Sequence, residues 1–283
     1  MANLRDIRRR IKSVRKTQKI TNAMKMVAAA RLRRAEVKLR RARRYAEGLR
    51  AIVERLDPML TPDEVPLAQP RATVRSRCLV VVSGERGLCG AYNGNTLSRA
   101  QEELASGVET RVVAVGQKGA QFFRKHGITL LGEHARILET LSYRQAETMA
   151  GELMRLYLSG EVDEVVVLYH RFASTLHQRL MSEKLIPVEL ELTGAGALSL
   201  AEHEPAPSEH LELLLPQFVA GRFYQLLVEA AASEQGARRN AMEAATDNAG
   251  EMIHSLTLLY NRTRQAAITT EMLEVVVGSE SLK

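Results

Sequence analysis

Val80–Asn93 reads VVVSGERGLCGAYN. An unbroken β-branched run with no polar alternation is the pattern of a strand buried on both faces. Ser83 and Gly84 end the run, and a helical pattern follows from about residue 92, so the stretch is a βα unit with a glycine-rich turn. Such turns cradle phosphates in many α/β proteins. Here Gly84, Gly87 and Gly90 recur every third residue, which matches neither GxGxxG nor GxxxxGK[ST]. Glu85 would repel a pyrophosphate, and no Lys-Ser/Thr pair follows. A tight turn that needs small residues is the reading these features favour. A Rossmann-type nucleotide-binding protein is the alternative left standing. Cys89 has no nearby histidine and only Arg86 as a neighbouring cation, so it reads as a small buried thiol rather than a nucleophile.

The pattern repeats outward from this turn. Short apolar runs at Cys78–Ser83, Arg111–Val115, Ile128–Leu131 and Val165–Tyr169 alternate with helical patterns near 92–106, 117–125 and 140–159. That alternation predicts a parallel sheet covered on both faces, a Rossmann-like domain over 71–192, with Gln178–Glu189 as a further strand. Pro58, Pro62, Pro66 and Pro70 mark a linker before it, and the Gly-, Ala-, Pro- and Ser-rich residues 193–208 mark one after it.

Beyond the linkers the period changes to that of helices. Asn3 with Asp6 three residues on resembles a capping box. Leu4, Ile7, Ile11 and Val14 then recur at spacings of three and four, and Ile20, Met24, Val27, Leu32, Ala35, Leu39 and Ala42 continue an apolar stripe. At ~1.5 Å per residue, a helix over 1–57 is a rod of roughly 80 Å, too long for the core of a domain this size. In 209–283, Pro216 either begins a helix at its first turn or kinks one already begun. From Phe218 to about Val277 the apolar positions keep helical spacing, among them Leu226, Ala230, Ala244, Ile253, Leu259, Ala266 and Leu273. Two rods with one apolar stripe each bury them most simply against each other. The expected fold is α/β plus a long antiparallel α-helical coiled coil formed by the N- and C-terminal helices, with a central Rossmann-like parallel-sheet domain.

Charge is distributed unevenly over the 283 residues. Residues 1–55 carry 19 Lys and Arg against 4 Asp and Glu, while the whole chain has a net charge of only +7. A segment so basic seeks an acidic partner. A basic coiled-coil nucleic-acid binder is a second alternative, though the interleaved aromatic and amide residues of a typical reader are sparse. Two cysteines, Cys78 and Cys89, provide neither a disulfide framework nor a zinc site and indicate a reducing compartment. No run approaches the ~20 apolar residues that span a bilayer. The seven histidines are scattered, no Ser/His/Asp set is visible, and Asp163 and Glu164 read as solvated residues beside a strand. No catalytic, cofactor-binding or metal-binding residue is assigned.

The two ends carry a more specific pattern. Arg8–Leu32, RRRIKSVRKTQKITNAMKMVAAARL, resembles the N-terminal helix of the gamma subunit of F-type ATP synthases, with its I-x-S-V-x-x-T-x-K-I-T-x-A-M-x-M-V-A. Ala244–Thr270, AATDNAGEMIHSLTLLYNRTRQAAITT, is similar to that family's A-T-D-N-A…Y-N-x-x-R-Q-A-x-I-T-x-E-L, and SGERGLCGAYN to its S-D-R-G-L-C-G-x-x-N. The resemblance covers nearly the whole chain. It implies a non-catalytic rotor shaft inside a ring of three alpha and three beta subunits, footed on the epsilon subunit and the membrane c-ring, coupling ion flow to ATP synthesis or hydrolysis. It implies no cofactor, no nucleic-acid partner, no direct lipid insertion, and a peripheral position on the cytoplasmic face of a bacterial inner membrane.

Residue by residue, the same resemblance implies that Met24 and Lys25 face the acidic loop of beta, with Lys25 standing where an acidic residue is more usual. Arg264 and Gln265 match a pair that catches a loop of beta, with Thr269 and Glu271 adjoining. Arg238 matches another cation facing beta, although the following Arg239-Asn240 replaces the usual apolar pair. Glu204 and Pro205 match a foot segment near the c-ring. Val275, Val276 and Val277 fall in an apolar tip, Met272–Val277, that would run in a sleeve of the ring. The cysteine-bearing regulatory insertion of chloroplast members is absent from 193–208.

Overall fold

The run at the opening turn forms the middle strand of a five-stranded sheet. The computed structural model describes residues 4–56, 66–189 and 207–280. In chain order the elements are α1 (Leu4–Leu56), β1 (Ser76–Val82), α2 (Tyr92–Leu104), β2 (Glu109–Val115), α3 (Gln117–Lys125), β3 (Leu130–His134), α4 (Ile137–Thr140), α5 (Tyr143–Leu158), β4 (Glu164–Phe172), β5 (Gln178–Ile186) and α6 (Pro207–Glu280). The Asn3 cap, Pro58 and Pro62, and the segment with His203, Glu204 and Pro205 lie outside the described residues.

The sheet order is β3-β2-β1-β4-β5. β1 to β4 are parallel, and β5 joins β4 antiparallel at the edge. The added strand makes the sheet mixed. A short return after Phe172 permits only an antiparallel neighbour, because a parallel one needs a crossover of a dozen or more residues. Alternate residues of β1 serve opposite faces, as the pleat requires. Cys78, Val80 and Val82 join α5 and parts of α1 and α6 in one core. Leu79 and Val81 join α2 and α3 through Ala100, Ala120 and Phe123 in the other. α5 starts at a capping box, with the Ser142 hydroxyl accepting from Gln145 N–H and the Gln145 side chain accepting from Ser142 N–H. Asp163 is partly exposed, as the sequence suggested, and also has a structural role the sequence did not show. Its Oδ2 accepts from the N–H groups of Arg75 and Ser76, both at 2.8 Å, and fixes the start of β1.

The chain divides into two units: Ala29–Arg238, and Met1–Ala28 with Arg239–Lys283. In the first, α1 buries Leu32, Leu39, Ala42, Ala46, Leu49 and Val53, with Ala35 packed beside them. The alternating spacing of three and four is a heptad seam. Arg43 pairs with Glu229 at 2.9 Å, and Tyr45 and Leu49 lie against Gly221, so α6 runs antiparallel to α1 here. Pro216 lies inside α6 and does not begin it. The carbonyl of Glu212, left without its helical N–H by the proline, belongs to an exposed residue where water can replace the bond.

In the second unit, Arg8 donates to Tyr260 Oη (2.8 Å), Thr246 donates to Thr21 Oγ1 (2.8 Å), and Lys25 lies 3.6 Å from Glu243. As one number rises the other falls, so the pair is again antiparallel. Among the described residues of this unit, only Ile7, Ala28, Met242 and Ala249 are buried hydrophobics.

Candidate functional site

The opening turn is held by its own side chains. Gly84 N–H donates to Asn93 Oδ1 at 2.8 Å, and Asn93 Nδ2 donates to Arg86 C=O and approaches Cys89 Sγ, both at 3.2 Å. A Cβ on Gly84 would sit 2.8 Å from Asn93 Oδ1, and Gly90 has φ 61°, so both positions require glycine. Gly87 has open space around it, and the corner's other left-handed residue is not a glycine but Leu88, φ 61° and 64% exposed. Cys89 is buried, and burial raises its pKa. The cation beside it is Arg238, whereas Arg86 turns away to Glu139 at 2.9 Å.

Glu85 is the residue whose role the sequence did not reveal. It is 4% exposed. Its Oε2 accepts from Gln117 N–H (3.0 Å) at the start of α3 and from Arg136 N–H (2.8 Å); its Oε1 accepts from Leu138 N–H (3.1 Å). A helix N-terminus attracts an anion, and here the chain supplies its own.

In an open α/β sheet the ligand crevice lies beyond the carboxyl ends of the strands where the order reverses, here between β1 and β4. That crevice is filled by α6. Ser233 Oγ donates to His170 C=O at the end of β4 (2.8 Å), Tyr92 Oη donates to Ala230 C=O (3.1 Å), and the Tyr92 ring stacks on His170 at 4.1 Å. Glu234 accepts from the Arg86 backbone. Arg238 pairs with Glu234 at 2.6 Å and donates to the carbonyls of Arg86 and Gly87, each at 3.3 Å. The polar groups that would greet a nucleotide are already bonded to the protein's own helix. Burial holds the Glu234 carboxyl above its ordinary pKa and pushes the His170 imidazole down to about 4.

The second unit differs from the sequence reading in a consistent way. The α1 seam there runs Ile7, Ile11, Val14, Gln18, Thr21, Lys25, Ala28, with polar residues in its middle. The facing seam on α6 runs Met242, Thr246, Ala249, Ile253, Leu256, Tyr260, Thr263, Ala267. Ile20 and Val27, expected in the seam, are 60% and 54% exposed, and Met26 is 60% exposed. Ala244, Leu259, Ala266 and Leu273 are likewise turned outward. Met24 is half-buried beside the seam, and Lys25 is held by Glu243. Apolar side chains are thus displayed to the outside while polar ones are paired within. A signal for this was present in the sequence. Extending the spacing from Ile7, Ile11 and Val14 lands on residues 18, 21 and 25, and leaves 20, 24 and 27 out of register.

Past Ala267 every residue to Val277 is exposed. Arg264, Ile268, Glu271 and Val275 follow one face of α6, and Gln265, Thr269, Met272 and Val276 the next. Thr269 Oγ1 donates to Gln265 C=O at 2.9 Å. Arg238, by contrast, is buried and committed to Glu234 and the turn. Among the described residues no helix is long and apolar enough to cross a membrane, and no three His, Cys, Asp or Glu are grouped to hold a metal.

An α/β domain whose crevice is plugged by its own helix, with a helical pair that shows apolar residues outward, is the composition of a subunit made to work inside a larger assembly. The family model for ATP synthase matches residues 3–282. The ATP synthase gamma chain of Moorella thermoacetica is 43% identical over 288 residues, covering all of both chains. A chain of the Euglena gracilis mitochondrial ATP synthase OSCP/F1/c-ring structure superposes with a TM-score of 0.68 at 18% identity, over 99% of this chain and 94% of that one. A chain from the rotor of the same synthase gives 0.65 at 19% identity, over 94% and 98%. The chain belongs to the ATP synthase gamma chain family, and as a member it is a non-catalytic subunit of the complex.

Proposed function

We infer that this chain is the rotary central-stalk subunit of an F-type ATP synthase. Ion flow through a membrane c-ring turns it, and its turning drives the catalytic sites on a surrounding ring of alpha and beta subunits. The observation that carries this reading is the register of the second unit. Gln18, Thr21 and Lys25 fill the seam, while Ile20, Met26 and Val27 face outward. A coiled coil that worked alone would bury the apolar set and expose the polar one.

The outward stripe, with Met24 and Lys25, is the surface for a beta loop. Arg264 and Gln265, with Thr269 and Glu271 one to two turns on, form a second contact, where the planar Arg fork suits a carboxylate. The exposed valines 275–277 suit an apolar bearing, because non-directional contacts oppose rotation least. Arg238 is a structural anchor in this reading rather than a free cation facing beta. Residues near Glu204 and Pro205 belong to the foot at the c-ring and epsilon subunit. The chain sits peripherally on the cytoplasmic face of a bacterial membrane.

Neither a nucleotide-binding nor a nucleic-acid-binding reading draws support from these observations. The test is reconstitution: added to a gamma-depleted complex, the chain restores ATP-driven ion pumping. Failure to co-assemble with alpha and beta subunits overturns the reading.

A further inference from the structure

In a rotor, torque delivered to the α/β domain must leave it through the helices packed on it. The packing of α6 on that domain is mostly apolar, with Phe223, Leu226, Leu227 and Ala230 fully buried. Apolar contact resists separation, but it is non-directional and yields to slip around a smooth cylinder. Hydrogen bonds weaken steeply with angle and distance, so they resist twist as well as separation.

The polar contacts of α6 are arranged accordingly. Arg222 donates to Glu183 of β5 at 2.8 Å. Ala230 C=O receives the Tyr92 hydroxyl of α2, and Ser233 reaches His170 C=O of β4. Glu234 receives the Arg86 N–H, and Arg238 reaches the carbonyls of Arg86 and Gly87. The five positions span residues 222–238, about 24 Å of helix at ~1.5 Å per residue. Between them they grip β4, β5, α2 and the turn after β1. Glu234 and Arg238 also hold the turn in opposite senses, one taking its N–H and the other its carbonyls. Four of these contacts have a backbone group at one end, which cannot swing away as a surface side chain can.

We propose that these five contacts lock the α/β domain against rotation about α6, so that they are torque-bearing positioning groups rather than general stabilisers. The inference rests on the rotor reading above. The Tyr92 and Ser233 hydroxyls and their acceptors are shut away from water, where such bonds are strongest. The apolar packing alone would hold the domain on the helix; the polar contacts hold it in one angular register.

The test uses a double variant, Tyr92→Phe with Ser233→Ala, which removes two hydroxyls and keeps both the ring stack and the buried surface. A packing variant, Leu226→Val, is matched to it for loss of Tm. Each is assembled with alpha and beta subunits, the ring is immobilised, and the angular fluctuation of a probe on the α/β domain is recorded in a nucleotide-stalled state. If the five contacts act as equal, independent springs, losing two leaves three-fifths of the stiffness and raises the joint's angular variance about 1.7-fold. The proposal expects that broadening in the double variant and not in the packing variant. An unchanged variance in the double variant overturns it, as does equal broadening in both. A wild-type chain that fails to assemble or turn removes the rotor reading and this inference with it; a wild type that turns while the double variant stays as stiff removes the inference alone.

Discussion

Replacing Glu85 by alanine should be far more costly than its place in a glycine-rich turn suggests. The carboxylate accepts three backbone N–H groups from two separate segments, Gln117 at the start of α3 and Arg136 and Leu138 around α4. Each bond to an ionised group contributes roughly 1.5–3 kcal/mol, and each buried donor left bare costs about 1–3 kcal/mol. Three of them set a ceiling of about 9 kcal/mol, which water entering the vacated space reduces. Arg136 also holds φ 63°, a conformation that needs its surroundings to persist. A loss of about 3–6 kcal/mol is expected, a large share of a domain stability of about 5–15 kcal/mol. Glu85→Gln should lose roughly half as much, because its oxygen can keep the two donors on Oε2 while its amide faces Leu138 N–H. Urea unfolding of the full chain followed by circular dichroism reads both values. A loss under about 1 kcal/mol for the alanine variant would refute the view that Glu85 replaces a bound anion at α3.

Hydrogen exchange should show the helical pair of residues 4–28 and 239–280 opening at much lower free energy than β1 and β4, by about 100-fold or more in protection, since it buries so few apolar residues of its own; assembly with alpha and beta subunits should slow it, and equal protection in the free chain would contradict this. His170 is held down to about 4 by burial, against 6.5 for the free group, so stability should be fully present above pH 6.5 and fall by up to about 3 kcal/mol as pH drops toward 4. His170→Phe should flatten that part of the pH profile while keeping the stack on Tyr92, and an unaltered profile would place the acid sensitivity elsewhere. Met24→Lys should reduce ions pumped per ATP hydrolysed, because an added ammonium opposite an acidic loop favours one rotary position; an unchanged ratio would argue against that contact.

The most apolar runs were legible because each is a continuous buried strand: Cys78–Ser83 falls inside β1 apart from Ser83, and Val165–Tyr169 lies wholly inside β4, whereas Ile128–Leu131 overlaps β3 only at Leu130 and Leu131. The orientation of β5 was not, since strand pattern alone does not state which neighbour a strand takes. The anchoring role of Glu85 was not legible, for a physical reason. A carboxylate in a turn normally faces water, and its three donors come from segments 32 to 53 positions away. The burial of Arg238 was not legible either, because its mate Glu234 and the turn it grips meet only in the fold. The seam was misread at Ile20, Met24 and Val27 because apolar periodicity reports burial without saying against what. In a chain that packs both on itself and on others, the heptad register from Ile7 is the better guide than the apolar residues themselves.

The central claim is that this chain turns. With alpha and beta subunits fixed to a surface and a probe attached to the α/β domain, ATP should drive stepwise rotation in one direction, stopping when hydrolysis stops. Steady ATP hydrolysis by the assembled complex with the probe at rest would contradict the account.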